Sequence, residues 1–164
     1  MAFFESHPDR TTLQQEFIFA SWNAIIPEAA GRGEKFLEGV AEAISAMGIP
    51  DMKTARIELE TVAAGERVKG LYLRPALEAY CITPPLKGYI FYFSAKDFGK
   101  HLILSRFMKK NSAEKLSPFS LEEVGAYFKL VNSHVLAVVK KITEEAKQDF
   151  SKLNIESTGV IDIA

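Results

Sequence analysis

Cysteine is nearly absent: Cys81 is the only one in 164 residues. That excludes an intramolecular disulfide and any multi-cysteine zinc site. An excess of either charge is also missing. Twenty Lys and Arg stand against twenty-one Asp and Glu, which leaves no overall field for nucleic acid or an anionic membrane to respond to. No uninterrupted apolar run is longer than Tyr89–Phe93, far short of the roughly 20 residues that a membrane-spanning helix needs. The opening residues lack a basic stretch followed by an apolar one, so no secretory leader is expected and the cytoplasm is the expected compartment. The three histidines, His7, His101 and His134, show no His-x-x-x-His or Glu-x-x-His spacing. Neither a metal site nor a cofactor is therefore expected. What is present is ordinary for a globular domain: 48% apolar and 25% charged residues. The chain reads as one domain over 1–164, with a mobile segment at 1–10.

Three stretches carry helical periodicity. Thr12 with Gln15 fits a capping box. Leu13, Phe17, Ala20 and Ala24 then recur at spacings of three and four, with Ile18, Trp22 and Ile25 as a second apolar row and Pro27 as a stop. This predicts a helix over about 12–26. A second helix, about 34–47, carries Phe36, Leu37, Val40, Ile44 and Met47 on one face and ends at Gly48. The third, about 121–147, opens with Ser120 and Glu123. Leu121, Val124, Phe128, Val131, Val135, Val138 and Ile142 then follow at alternating spacings of three and four. Valine is a mediocre helix former, so burial must hold this helix.

Between about 54 and 108 the period drops to two. Ala55, Ile57 and Leu59 alternate with Arg56, Glu58 and Glu60. Further strands are expected at Val68–Leu73, Leu77–Thr83, Tyr89–Ala95 and His101–Met108, the last following a hairpin in which Gly99 takes a positive φ. The short connections leave no room for crossover helices, so the strands form a five-stranded antiparallel meander. The β-prone tail from Leu153 offers a C-terminal edge strand. The fold class is α+β, with the long helix across one face of the sheet and the N-terminal helical pair on the other face or end.

Side chains of Tyr89–Phe93 alternate between two faces, and both sets, Tyr89, Phe91, Phe93 and Ile90, Tyr92, are apolar or aromatic. A strand of this kind belongs to a sheet covered on both sides. The second cover is the helical pair, a second protein molecule or an apolar ligand. Individual candidates for chemistry have plain structural accounts. Cys81 lies in a strand with no visible group to activate it. Gly31-Arg32-Gly33 lacks the strand and the Gly-Lys-Ser/Thr ending of a phosphate loop. Lys96, Lys100, Arg106, Lys109 and Lys110 cluster around the last hairpin as a possible anion patch. Cys81, His101 and Asp97 form the least poor catalytic trio, and no catalytic residue is assigned.

The order of two helices, antiparallel meander and long C-terminal helix resembles the helix-grip layout of START and Bet v 1-like ligand-binding proteins. That resemblance is one of topology; it implies an apolar cavity between sheet and helix and transfers no residue roles. The expected function is a non-enzymatic, adaptor-like or self-associating module that uses an aromatic sheet and helix surface, with Trp22, Phe91 and Phe93 as interface residues. The alternative is a carrier of an apolar small molecule in a cavity lined by Phe128, Val131 and Val135. The expected partner is another protein or a second copy, with the small molecule as alternative and neither nucleic acid nor membrane.

Overall fold

The structure, a computed structural model, describes residues 9–13, 18–48, 52–61, 67–75, 89–110 and 118–159. Along the chain these form strand β1 (Asp9–Leu13), β2 (Ile18–Ile26), helix α1 (Gly33–Ala46), β3 (Met52–Thr61), β4 (Arg67–Pro75), β5 (Tyr89–Phe98), β6 (His101–Lys110), helix α2 (Pro118–Glu145), a short 3-10 turn (Phe150–Lys152) and β7 (Asn154–Gly159). All seven strands belong to one sheet in the order β1-β3-β4-β5-β6-β2-β7. The class is α+β, with an antiparallel meander of four consecutive strands, β3 to β6.

The first predicted helix is replaced by strand. Asp9 and Arg10, assigned from sequence to a mobile segment, open β1, which runs parallel to β3. β2 pairs antiparallel with β6 on one side and with β7 on the other. Trp22, Ala24 and Ile26 are buried while Ser21 and Asn23 are only partly so, a period of two that the apolar rows at three and four obscure. A segment this rich in aromatic and β-branched residues satisfies both patterns, and pairing along two neighbouring strands decides for the strand. The tail expected to add an edge strand forms β7. The expected strand Leu77–Thr83 lies outside the described residues.

Helix α1 keeps its predicted face: Phe36, Leu37, Val40 and Ile44 are buried, and Gly48 leaves the helix with φ of +70°. The 28 residues of α2 reach about 42 Å, and Tyr127, Phe128, Val131, Val135, Val139 and Ile142 face inward. Both helices pack on the same face of the sheet, whereas the sequence suggested the N-terminal helices on the other face or end. A single core joins Trp22, Ala24 and Ile26 of β2, Phe91 and Phe93 of β5, Leu102, Leu104 and Met108 of β6 and the inner rows of both helices. Each of these large side chains contributes about 1.5–3 kcal/mol by leaving water. A Cβ on Gly39 would stand 2.8 Å from Val138 Cγ1, so this glycine lets α1 approach α2 closely. At the helix ends Arg32 Nη2 donates to the Glu145 carbonyl oxygen, and Arg32 and Lys35 both face the Glu145 carboxylate.

The opposite face of the sheet has its own apolar cluster: Ile57 and Leu59 of β3 with Tyr92 of β5, flanked by Ala55, Ile90 and Phe107. No described helix lies on that side. Gly70 of β4 stands directly between Ile57 and Ser94 in the ladder, and a Cβ there would sit 2.8 Å from the Phe93 carbonyl oxygen and 2.9 Å from Leu59 Cδ1. Leu59 lies across the gap that the missing side chain leaves. Gly70→Ala therefore forces Leu59 and the β5 backbone apart, and urea unfolding should show a loss of about 1–3 kcal/mol. Unchanged or raised stability would contradict this packing.

Candidate functional site

Alternation along β6 places Leu102, Leu104, Arg106 and Met108 on the helix side of the sheet. Arg106 stands opposite Phe93 of β5 and Trp22 of β2, and it is only 1% exposed. Its Nη1 donates to Asn132 Oδ1 at 2.8 Å, a bond that reaches from the sheet to α2, where Asn132 is itself buried. The guanidinium carbon lies 6.0 Å from the centroid of the Phe91 ring, within range of a cation–π contact. Phe91 is in turn met edge-on by Tyr127 at 5.5 Å and Phe128 at 5.6 Å. The cation thus sits in an aromatic layer.

Two of its donors are unused. Nε and Nη2 are buried without a hydrogen-bond partner. Their hydrogens project from the same edge of the guanidinium plane, the edge that a carboxylate engages through two parallel bonds. Burial pulls the Arg106 pKa below the ordinary arginine value to about 10, so the group is still cationic at neutral pH. A buried charge opposed by one neutral amide costs several kcal/mol that pairing with an anion would offset.

The residues singled out from the sequence fall elsewhere. Trp22, Phe91 and Phe93 are buried beneath the helices and do not present a contact surface. Phe128, Val131 and Val135 are buried in the same core. Of the expected anion patch, Arg106 turns inward, and Lys100 Nζ pairs with Glu28 at 2.9 Å. Lys109 lies six residues beyond Ile103, the partner of Lys96, so the two ends of the patch are about 20 Å apart along β6. Arg106 therefore belongs to the core, while Lys96 and Lys100 stand exposed at the hairpin end of the sheet.

Asp97 and His101 hold a loop. Asp97 Oδ1 accepts from the Gly31 amide at 2.9 Å, and His101 Nδ1 accepts from the Glu28 amide at 3.3 Å. Both pin the β2–α1 connection, where Glu28 and Gly31 take positive φ, to the β5–β6 hairpin. Cys81 and His7 lie outside the described residues. His134 Nδ1 donates to the Leu130 carbonyl one turn earlier at 2.9 Å. Among the described residues no group of His, Cys, Asp and Glu is arranged to hold a metal ion, and no helix is long and apolar enough to cross a membrane.

A groove of about 520 Å³ runs between the two helices, lined by Lys35, Glu38, Glu42, Lys141 and Glu145 beside Gly39, Val138 and Ile142. Its walls carry both signs of charge, so it has no preference for a cation or an anion.

The Arg106–Asn132 pair was missed in the sequence although a signal for it exists. Arg106 follows Leu102 and Leu104 at the strand period, and Asn132 lies between Phe128 and Val135 on the inner row of a helix. A polar residue in an apolar row is the informative observation.

Asn132→Ala removes the side-chain acceptor that the described residues offer a cation that stays buried, and chemical unfolding should show a loss of about 2–4 kcal/mol. Arg106→Met, of similar volume and uncharged, should stay within about 1 kcal/mol of the parent or exceed it. The reverse order of stabilities would contradict this reading. Comparison of the chain with known protein families, with characterised proteins and with solved structures finds no match, so the case for function rests on the geometry alone.

Proposed function

We propose that the protein is a non-enzymatic cytoplasmic module that self-associates through the helix-free face of its sheet. One observation carries this reading. Across adjacent strands that face presents Ser21, Asn23 and Ile25 of β2, Ile103, Ser105 and Phe107 of β6, and Ile90 of β5, each at least partly exposed, beside the buried Tyr92 and Ser94 of β5. None of these side chains is charged, and the charged Lys96 of β5 and Glu156 of β7 flank them on the same face. Ile25 is 38% exposed, and Phe98, on the same face at the end of β5, is 67% exposed. A sheet face built for water carries polar and charged alternates, whereas loss of charge marks the centre of a protein interface.

The occupant that fits is a second copy of this chain. A face whose middle rows are uncharged does not repel its own duplicate, and face-to-face pairing of identical surfaces closes with two-fold symmetry. With the axis along the strands, the β5 side of one copy lies over the β7 side of the other. That brings exposed Lys96 toward exposed Glu156, unlike charges that favour this register.

Sedimentation at micromolar concentration should give a species of twice the chain mass. Ile25→Glu places a charge on the exposed apolar part of the contact and should weaken association by about tenfold or more, with an unchanged far-ultraviolet circular dichroism spectrum. A parent protein that sediments only as a monomer would overturn the proposal, as would a variant that dimerises as well as the parent.

A further inference from the structure

We propose that the free edge of Arg106, between β6, β5 and α2, binds the carboxylate of a small monocarboxylic acid. The inference is independent of self-association, since this site lies on the helix side of the sheet and the proposed contact on the other. Three features lead to it. The guanidinium is buried, so water at the protein surface does not solvate it. Nε and Nη2, both unpartnered, form the two-donor edge whose spacing matches the two oxygens of a carboxylate. Among the described residues the buried polar side chains are Ser94, Arg106, Asn132 and Thr143, so no buried carboxylate of the described chain balances the charge.

These features also select the ligand class. One cation is neutralised by one negative charge, which a monocarboxylate supplies; a doubly charged phosphate would leave a net negative charge in an apolar layer. The neighbours of Arg106 across the ladder and along its ring contact are Phe93, Trp22 and Phe91. Neighbours of this kind are compatible with an apolar body behind the head group and offer little to a polyol or a sugar. Only the carboxylate itself has to reach the guanidinium, so the length of the apolar body is a separate variable.

Trp22 is the only tryptophan in the chain, and it faces Arg106 across the β2–β6 ladder. Its fluorescence therefore reports on the site. The full chain is titrated at constant ionic strength with sodium acetate, sodium octanoate and, as the uncharged counterpart, octanol. At least one carboxylate should change Trp22 emission saturably and raise the melting temperature, while octanol does neither. Arg106→Met should bind that carboxylate about tenfold or more weakly. The proposal is overturned if neither carboxylate alters Trp22 emission, if octanol matches octanoate, or if the folded Arg106→Met chain binds octanoate as well as the parent. Should that variant not fold, the contrast between octanoate and octanol on the unaltered chain decides alone.

Discussion

A buried hydrogen bond, from Arg106 Nη1 to Asn132 Oδ1, links the sheet to the long helix in a layer that is otherwise almost wholly apolar. Dispersion and loss of water hold α2 against the sheet, but such forces are non-directional. A polar pair inside the layer selects one rotation and one translation of the helix, because any other would strand a charge without its acceptor. The same constraint leaves the Nε–Nη2 edge of the guanidinium unsatisfied. One buried cation thus positions the helix and creates a point in the core with a definite chemical preference.

The two faces of the sheet divide the work. The helix side is a continuous core in which Phe91, Phe93, Phe128 and Leu104 are fully buried. The other side combines a small buried cluster at Ile57, Leu59 and Tyr92 with uncharged, partly exposed rows on β6 and β2. Placing α1 and α2 together on one face follows from β2. Because that segment is a strand inserted between β6 and β7, it enlarges the sheet and no longer supplies a cover. The larger sheet gives both helices room on one side.

Much of this was legible in the sequence. The period-two stretches located β3, β4, β5 and β6, and Gly99 takes φ of +61° at the hairpin as its position required. The apolar rows located α1 and α2 to within a few residues of their ends. The aromatic strand Tyr89–Phe93 indicated two buried faces, and Phe91, Phe93 and Tyr92 are buried on opposite sides. What misled was the segment before Pro27, where apolar residues are so dense that helical and strand spacing both fit. Only pairing with β6 and β7, contacts far apart in sequence, separates them. Arg106 was misjudged for a related reason. Reading it with nearby lysines grouped it by charge, whereas alternation with Leu102, Leu104 and Met108 decides which way it points.

The central claim is that the Arg106 guanidinium is sealed from water with an unsatisfied donor edge. Hydrogen exchange of arginine side chains, followed in a ¹⁵N–¹H spectrum with the Arg106 Nε–H resonance assigned through the Arg106→Met variant, addresses it directly. The account predicts an Nε–H that exchanges far more slowly than those of the exposed arginines such as Arg56. Exchange as fast as that of Arg56 would show that water reaches the edge freely, and the buried, unsatisfied cation would have to be abandoned.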